Sequence, residues 1–193
     1  MKKGSIIILG IVAVLALWCM NAYNDMVAIQ EEATNAAANV QSAYQRRADL
    51  IPNLVETVKG YATHEENTFK EVVEARAKAT QIKIDPANAT PEQLEQFQKA
   101  QGELGAALGR LIAVSENYPD LKANENFKDL QVQLEGTENR INEARNKFNE
   151  VVTRYNQKIR SFPTNILAGF FHFDKMEKFA AEEAAQKAPT VKF

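Results

Sequence analysis

Residues 124–155 read NENFKDLQVQLEGTENRINEARNKFNEVVTRY. Phe127, Leu130, Leu134, Thr137, Ile141, Ala144, Phe148, Val151 and Tyr155 recur in alternating steps of three and four. That period puts all nine on one stripe of a long α-helix and is incompatible with a strand. Asn124 sits where a helix N-cap belongs. Ile159 and Phe162 extend the stripe to Pro163, which stops it. A stripe this long needs partner helices to cover it.

Upstream lies a second seam of the same kind: Leu94, Phe97, Gln101, Leu104, Leu108, Leu111, Ser115 and Tyr118. Thr90 and Gln93 form a capping-box pair around Pro91, and Pro119 closes the segment. Between residues 50 and 81, Ile51, Leu54, Val58, Tyr61, Phe69 and Val72 mark another helical face. Asp49 is placed to cap it, with Pro52 in its first turn. Met26, Ala33, Ala37, Val40 and Tyr44 form the face of a helix that precedes it. The expectation is an all-α protein: an antiparallel up-down-up-down four-helix bundle of long, coiled-coil-like helices at about 23–45, 50–81, 91–117 and 124–162. On this reading the turns at Arg46–Asp49 and Tyr118–Asp120 are distal from the membrane. The fourth helix, about 58 Å at ~1.5 Å per residue, outruns a first helix of about 35 Å, which predicts a stagger or a bend.

The membrane enters through residues 4–22, GSIIILGIVAVLALWCMNA, which carry no charge. As a helix they span roughly 28 Å, close to a bilayer core. Trp18 and Tyr23 stand at the outer end, where amphipathic aromatics settle at the interface. A cleaved signal peptide would need small residues ahead of its site, and the helical pattern runs through Asn21-Ala22 unbroken. A lipoprotein signal would use Cys19, but bulky Trp18 precedes it. An uncleaved signal-anchor is the reading that fits. Residues 1–3 form a short cytoplasmic N-terminus: Lys2 and Lys3 lie before the anchor, and no Lys or Arg follows it until Arg46. The positive-inside rule therefore puts the large domain on the periplasmic, extracytoplasmic side of a bacterial inner membrane.

Composition excludes several function classes. Formal net charge is −2, and setting aside Lys2 and Lys3 leaves the remainder two units more acidic. With no Lys/Arg cluster, nucleic acid is not a partner. Cys19 is the single cysteine, so no intramolecular disulfide holds the fold. His64 and His172 are the only histidines, and His64 lacks a second histidine at helical spacing, so no metal site is expected. Nothing marks a phosphate loop or a nucleophile–base pair. Catalytic residues, cofactors and a small-molecule substrate are all expected to be absent.

The stretch RRADLIPNLVETVKGYATHE at 46–65 closely resembles the LemA family of bacterial membrane proteins. So do Tyr118-Pro119-Asp120-Leu121-Lys122-Ala123-Asn124, Thr137-Glu138-Asn139-Arg140-Ile141, Tyr155-Asn156, Phe162-Pro163 and Tyr23-Asn24 after the anchor. The resemblance implies a single-pass anchor, an antiparallel four-helix fold and no enzymatic activity. Relatives in magnetosome-forming bacteria imply a part in membrane organisation. Family members are also described with the bundle in the cytoplasm, which the charge pattern here opposes.

Four sets of residues are candidates for function. Arg46, Arg47, Asp49, Pro52 and Asn53 form either a charged turn or a partner-docking site. Gly102, Gly105 and Gly109, with Ala106 and Ala113, mark a close approach of another helix, from the same chain or from a second protomer. Asn139, Asn142, Asn146, Asn149 and Asn156 form either a solvated face or a polar ladder. The segment from residue 163, rich in Leu167, Phe170, Phe171 and Phe173, either caps the core or inserts in the bilayer interface. Beyond Glu177 a short helix fraying into a mobile terminus is expected. The leading function is a self-associating homo-oligomer that scaffolds the membrane surface. The alternative is an accessory or sensor subunit that modulates a separate membrane partner, such as a protease or a two-component kinase.

Overall fold

The computed structural model describes residues 3–180, which are mostly α-helical with no strand among them. Six α-helices follow in order: α1 Lys3–Lys59, α2 Glu66–Gln81, α3 Pro91–Val114, α4 Pro119–Ala123, α5 Glu125–Arg160 and α6 Thr164–Phe170, with a 3-10 turn at Ser115–Asn117. The capping box at Thr90 is formed, its hydroxyl accepting from Gln93 N and the Gln93 side chain accepting from Thr90 N. Asn124 caps α5 by accepting from Phe127 N at 2.9 Å.

The first helix corrects the sequence reading. Nothing breaks at Arg46–Asp49: α1 is 57 residues long and carries Pro52 in its interior. Proline has no N–H, so the carbonyl of Ala48, four residues earlier, loses its helical donor. Arg76 of α2 replaces it, its Nε–H donating to Ala48 O at 2.9 Å. Asp49 is therefore no cap; it accepts instead from Gln45 Nε2 at 2.7 Å. The turn falls later, at Gly60–Glu65, between α1 and α2.

Moving the turn removes the expected length mismatch. From Tyr23 to Lys59, α1 extends about 55 Å past the apolar span, and the 36 residues of α5 extend about 54 Å. These two pack side by side along their length, antiparallel: Asp25 meets Lys158, Glu32 meets Arg154, and Arg47 meets Glu138. The shorter α2 and α3 form a second antiparallel pair, bridged by Glu71–Arg110 and Lys78–Glu103.

The core has two levels. The distal cluster joins Ile51, Leu54 and Val58 of α1 with Val72, Leu104, Leu111, Leu121 and Phe127. The proximal cluster sets small residues of α1 (Ala33, Ala36, Ala37 and Val40) against Phe148, Val151, Val152 and Tyr155 of α5. Small against large at facing positions lets the two long helices run close without voids. Met176 and Phe179 complete this level. They lie in an extended stretch after α6 and cover the side that α2 and α3 are too short to reach.

The Arg76–Ala48 bond gives a direct test. In full-length protein in detergent, Arg76→Ala is expected to lower unfolding stability by about 2 kcal/mol, the range for a charge-assisted hydrogen bond. In a Pro52→Ala background, where residue 52 regains its N–H, the same change should cost less than half as much. Denaturant melts followed by circular dichroism measure the coupling.

Candidate functional site

Arg47 is the most buried charged residue among those described, 4% exposed. Its Nη1 donates to Glu138 Oε1 of α5 at 2.6 Å, and its Nη2 donates to the Gln101 side chain of α3 at 2.5 Å and more weakly to Gln101 O. Gln101 in turn donates to Ala79 O of α2. The guanidinium also stacks 5.2 Å from the Tyr44 ring centroid. Arg47 thus joins α1, α3 and α5 directly and reaches α2 through Gln101, a polar member of the α3 seam.

The motif around it divides. Arg46, Asp49, Pro52 and Asn53 are exposed on the opposite side of α1, mid-way along the rod and not at a turn. At the distal end, Asn124 donates to Tyr61 Oη at 2.9 Å, and the Tyr118 hydroxyl donates to Glu65 at 3.2 Å.

The glycine strip differs from the expectation that it packs against a helix of the same chain. A Cβ placed on Gly102, Gly105 or Gly109 would meet nothing within 4 Å. Ala106 and Ala113 are likewise exposed. α2 packs on another face of α3, the one that carries Glu103 and Arg110. Gly105 and Gly109 instead line an open groove of about 640 Å³ between α3 and α5, together with Leu108, Ile112 and Val132.

Two of the five asparagines proved to be clamps. Asn149 and Asn156 each grip a residue of the extended tail by both backbone groups. Asn149 donates to Phe179 O and accepts from Phe179 N, both at 2.9 Å. Asn156 donates to Met176 O at 2.8 Å and accepts from Met176 N at 3.0 Å. Arg145 adds a bond to Ala180 O at 2.8 Å. The fraying helix expected beyond Glu177 does not begin there: Lys178 to Ala180 are not helical, and Phe179 is buried and held by Asn149; residues 181–193 lie outside the described residues.

Just after the apolar span, Tyr23 packs edge-on against Phe171 and Phe173, at 4.9 and 5.6 Å between centroids. Trp18 lies within the apolar span, whose other large side chains are exposed. Phe173 is half-buried against the proximal core, and Phe170 is 76% exposed. No group of three or more metal-ligating side chains occurs among the described residues.

Residues 36–193 match the model of the LemA family. The chain belongs to the LemA family. The chain is also 30% identical to the magnetosome protein MamQ 2 of Paramagnetospirillum magneticum over 92% of its length and 71% of that protein. It is 29% identical to MamQ of Magnetospirillum gryphiswaldense, over 93% of its length and 72% of that protein. Protein LemA of Metamycoplasma hominis is 26% identical, over 83% of the chain and 69% of the relative. None of these names denotes an enzyme. This LemA-family chain, with one N-terminal helix long and apolar enough to cross a bilayer, fits a membrane protein.

Two outcomes follow from the buried groups. Arg47→Ala is expected to cost about 3 kcal/mol, because it empties a buried site and strands Gln101. Arg46→Ala, on the exposed face, should stay within about 0.5 kcal/mol of the parent in the same melts. The second concerns alkali. Burial, reinforced by Asp174, raises the Tyr155 pKa above 10, and burial and the Glu65 hydrogen bond do the same at half-buried Tyr118. Groups raised on folding stabilise below the unfolded value of about 10 and lose that contribution as pH climbs through the folded one. The denaturation midpoint should therefore fall as pH rises above about 10. Absorbance near 295 nm should show these two phenols ionising late.

Proposed function

We propose that the protein is a self-associating, non-enzymatic membrane scaffold, with its N-terminus in the cytoplasm and its helical domain on the extracytoplasmic face of the bacterial inner membrane. The observation that carries this reading is the glycine-floored groove between α3 and α5. Glycines cost a helix interior up to about 1 kcal/mol each relative to alanine, and they offer a close seat for another helix. Val132, at 68% exposure, is a large apolar side chain on the groove's rim.

Lys128 and Glu135 stand one heptad apart on the same rim and form no ion pair among the described residues. A second copy anchored in the same bilayer stands parallel to the first, so its rod can lie lengthwise along this groove. The magnetosome relatives are in keeping with a role in organising membranes. The positive-inside pattern of Lys2 and Lys3 supports the orientation.

Light scattering on the detergent-purified full-length protein tests this. A homo-oligomer is expected, and Gly105→Leu should reduce it to monomer without lowering the melting temperature, since the new side chain enters open groove. A monomeric parent protein rules the scaffold out and leaves the accessory-subunit reading, with the same groove receiving a different membrane protein.

A further inference from the structure

α6 and its flanks form an uncharged, exposed apolar surface outside the anchor. From Ser161 to Phe173 there is no Asp, Glu, Lys or Arg. Thr164 and Ala168 face inward and are buried, and Leu167 packs against the proximal core. Phe162, Ile166 and Phe170, four residues apart, face outward with exposures of 82, 63 and 76%. Three large apolar side chains left in water on one short stretch would be costly in a protein that met only solvent there.

Their position identifies what they meet. Tyr23, the first residue beyond the apolar span, holds Phe171 and Phe173 by ring contacts, and Phe171 holds Phe170 at 5.0 Å. Ala22, the last residue of the span, is itself buried in the fold. α6 therefore packs at the level where the apolar span of α1 ends, so its exposed outer face lies beside the point where an anchored α1 would leave the bilayer. Aromatic and aliphatic side chains without charge are suited to the headgroup–acyl boundary.

We propose that α6 is an interfacial membrane-binding element, with Phe162, Ile166 and Phe170 seated in the leaflet beside the emerging anchor. The segment then does both things its composition allows, since its inner face closes the core and its outer face enters lipid. The lipid-facing set is shifted from the one its sequence suggests: Phe173 faces the core, and Phe162 and Ile166 take its place. The inference rests on the anchored reading of α1 and is independent of self-association.

The test uses full-length protein reconstituted in phosphatidylcholine–phosphatidylglycerol vesicles, in two single-tryptophan forms. One is the parent, whose indole is Trp18. The other combines Trp18→Phe with Ile166→Trp; position 166 is exposed, so circular dichroism should show an unchanged fold. Lipids brominated on their acyl chains should quench the indole introduced by Ile166→Trp by more than about half, with blue-shifted emission, while aqueous acrylamide quenches it weakly. If Trp18 is quenched by brominated lipid but the indole at 166 is quenched only by acrylamide, α6 stands clear of the membrane and this inference fails alone. An indole at 166 shielded from both quenchers is covered by protein, which also overturns it. If neither indole responds to brominated lipid, the anchored reading falls with it.

Discussion

A single hydrogen bond, from Arg76 Nε to the carbonyl of Ala48, allows α1 to be one helix. Pro52 would otherwise leave that carbonyl unpaired inside the fold, and a helix that breaks there cannot match α5 in length. Arg76 belongs to α2, so the continuity of the first helix depends on the second folding back onto it. Local structure and tertiary packing are thereby tied together. The arrangement also places Arg47 one turn before Pro52, facing inward to Glu138 and Gln101. Two arginines thus do different work on neighbouring turns: one repairs the backbone, and the other fixes the register of the helices around it.

The two-level core follows from unequal helix lengths. α2 has 16 residues and α3 has 24, against 57 for α1 and 36 for α5. The distal half is filled by α1, α2, α3 and α5, with Leu121 of α4 added. The proximal half has two long helices, the beginning of α3, and an extended strap. An extended chain cannot satisfy its own backbone groups as a helix does, which is why Asn149 and Asn156 are needed there. Each amide offers one donor and one acceptor to one residue, the arrangement a neighbouring strand would provide. Their spacing of seven keeps both on one stripe of α5.

Much of this was legible in the sequence. The heptad seams of α3 and α5, the capping box at Thr90 and the uninterrupted apolar span follow from short-range pattern, and short-range physics decides them. The turn after α1 was not legible. Asp49 followed by Pro52 imitates a helix start, and the residue that cancels the signal lies 28 positions away. Gly60, ahead of the true turn, is the weaker local cue. The role of Gln101 was half visible, as a polar residue in an apolar seam, but its cationic partner was not. The asparagines were visible as a set, although only the path of the tail shows which two are clamps. The glycines showed that a close approach is possible, and the fold shows that no helix among the described residues makes it.

The unbroken first helix has a mechanical consequence. A membrane span joined to its domain by a flexible linker leaves each free to turn independently. Here the apolar segment and the domain are the same helix, so rotation or tilt at its N-terminal end is transmitted along a shaft to Lys59, about 55 Å beyond Ala22. The hydrogen bonds from Asn124 to Tyr61 and from Tyr118 to Glu65 keep the far end from slipping. A few degrees of tilt where the apolar segment ends become a displacement of several ångströms at the tip.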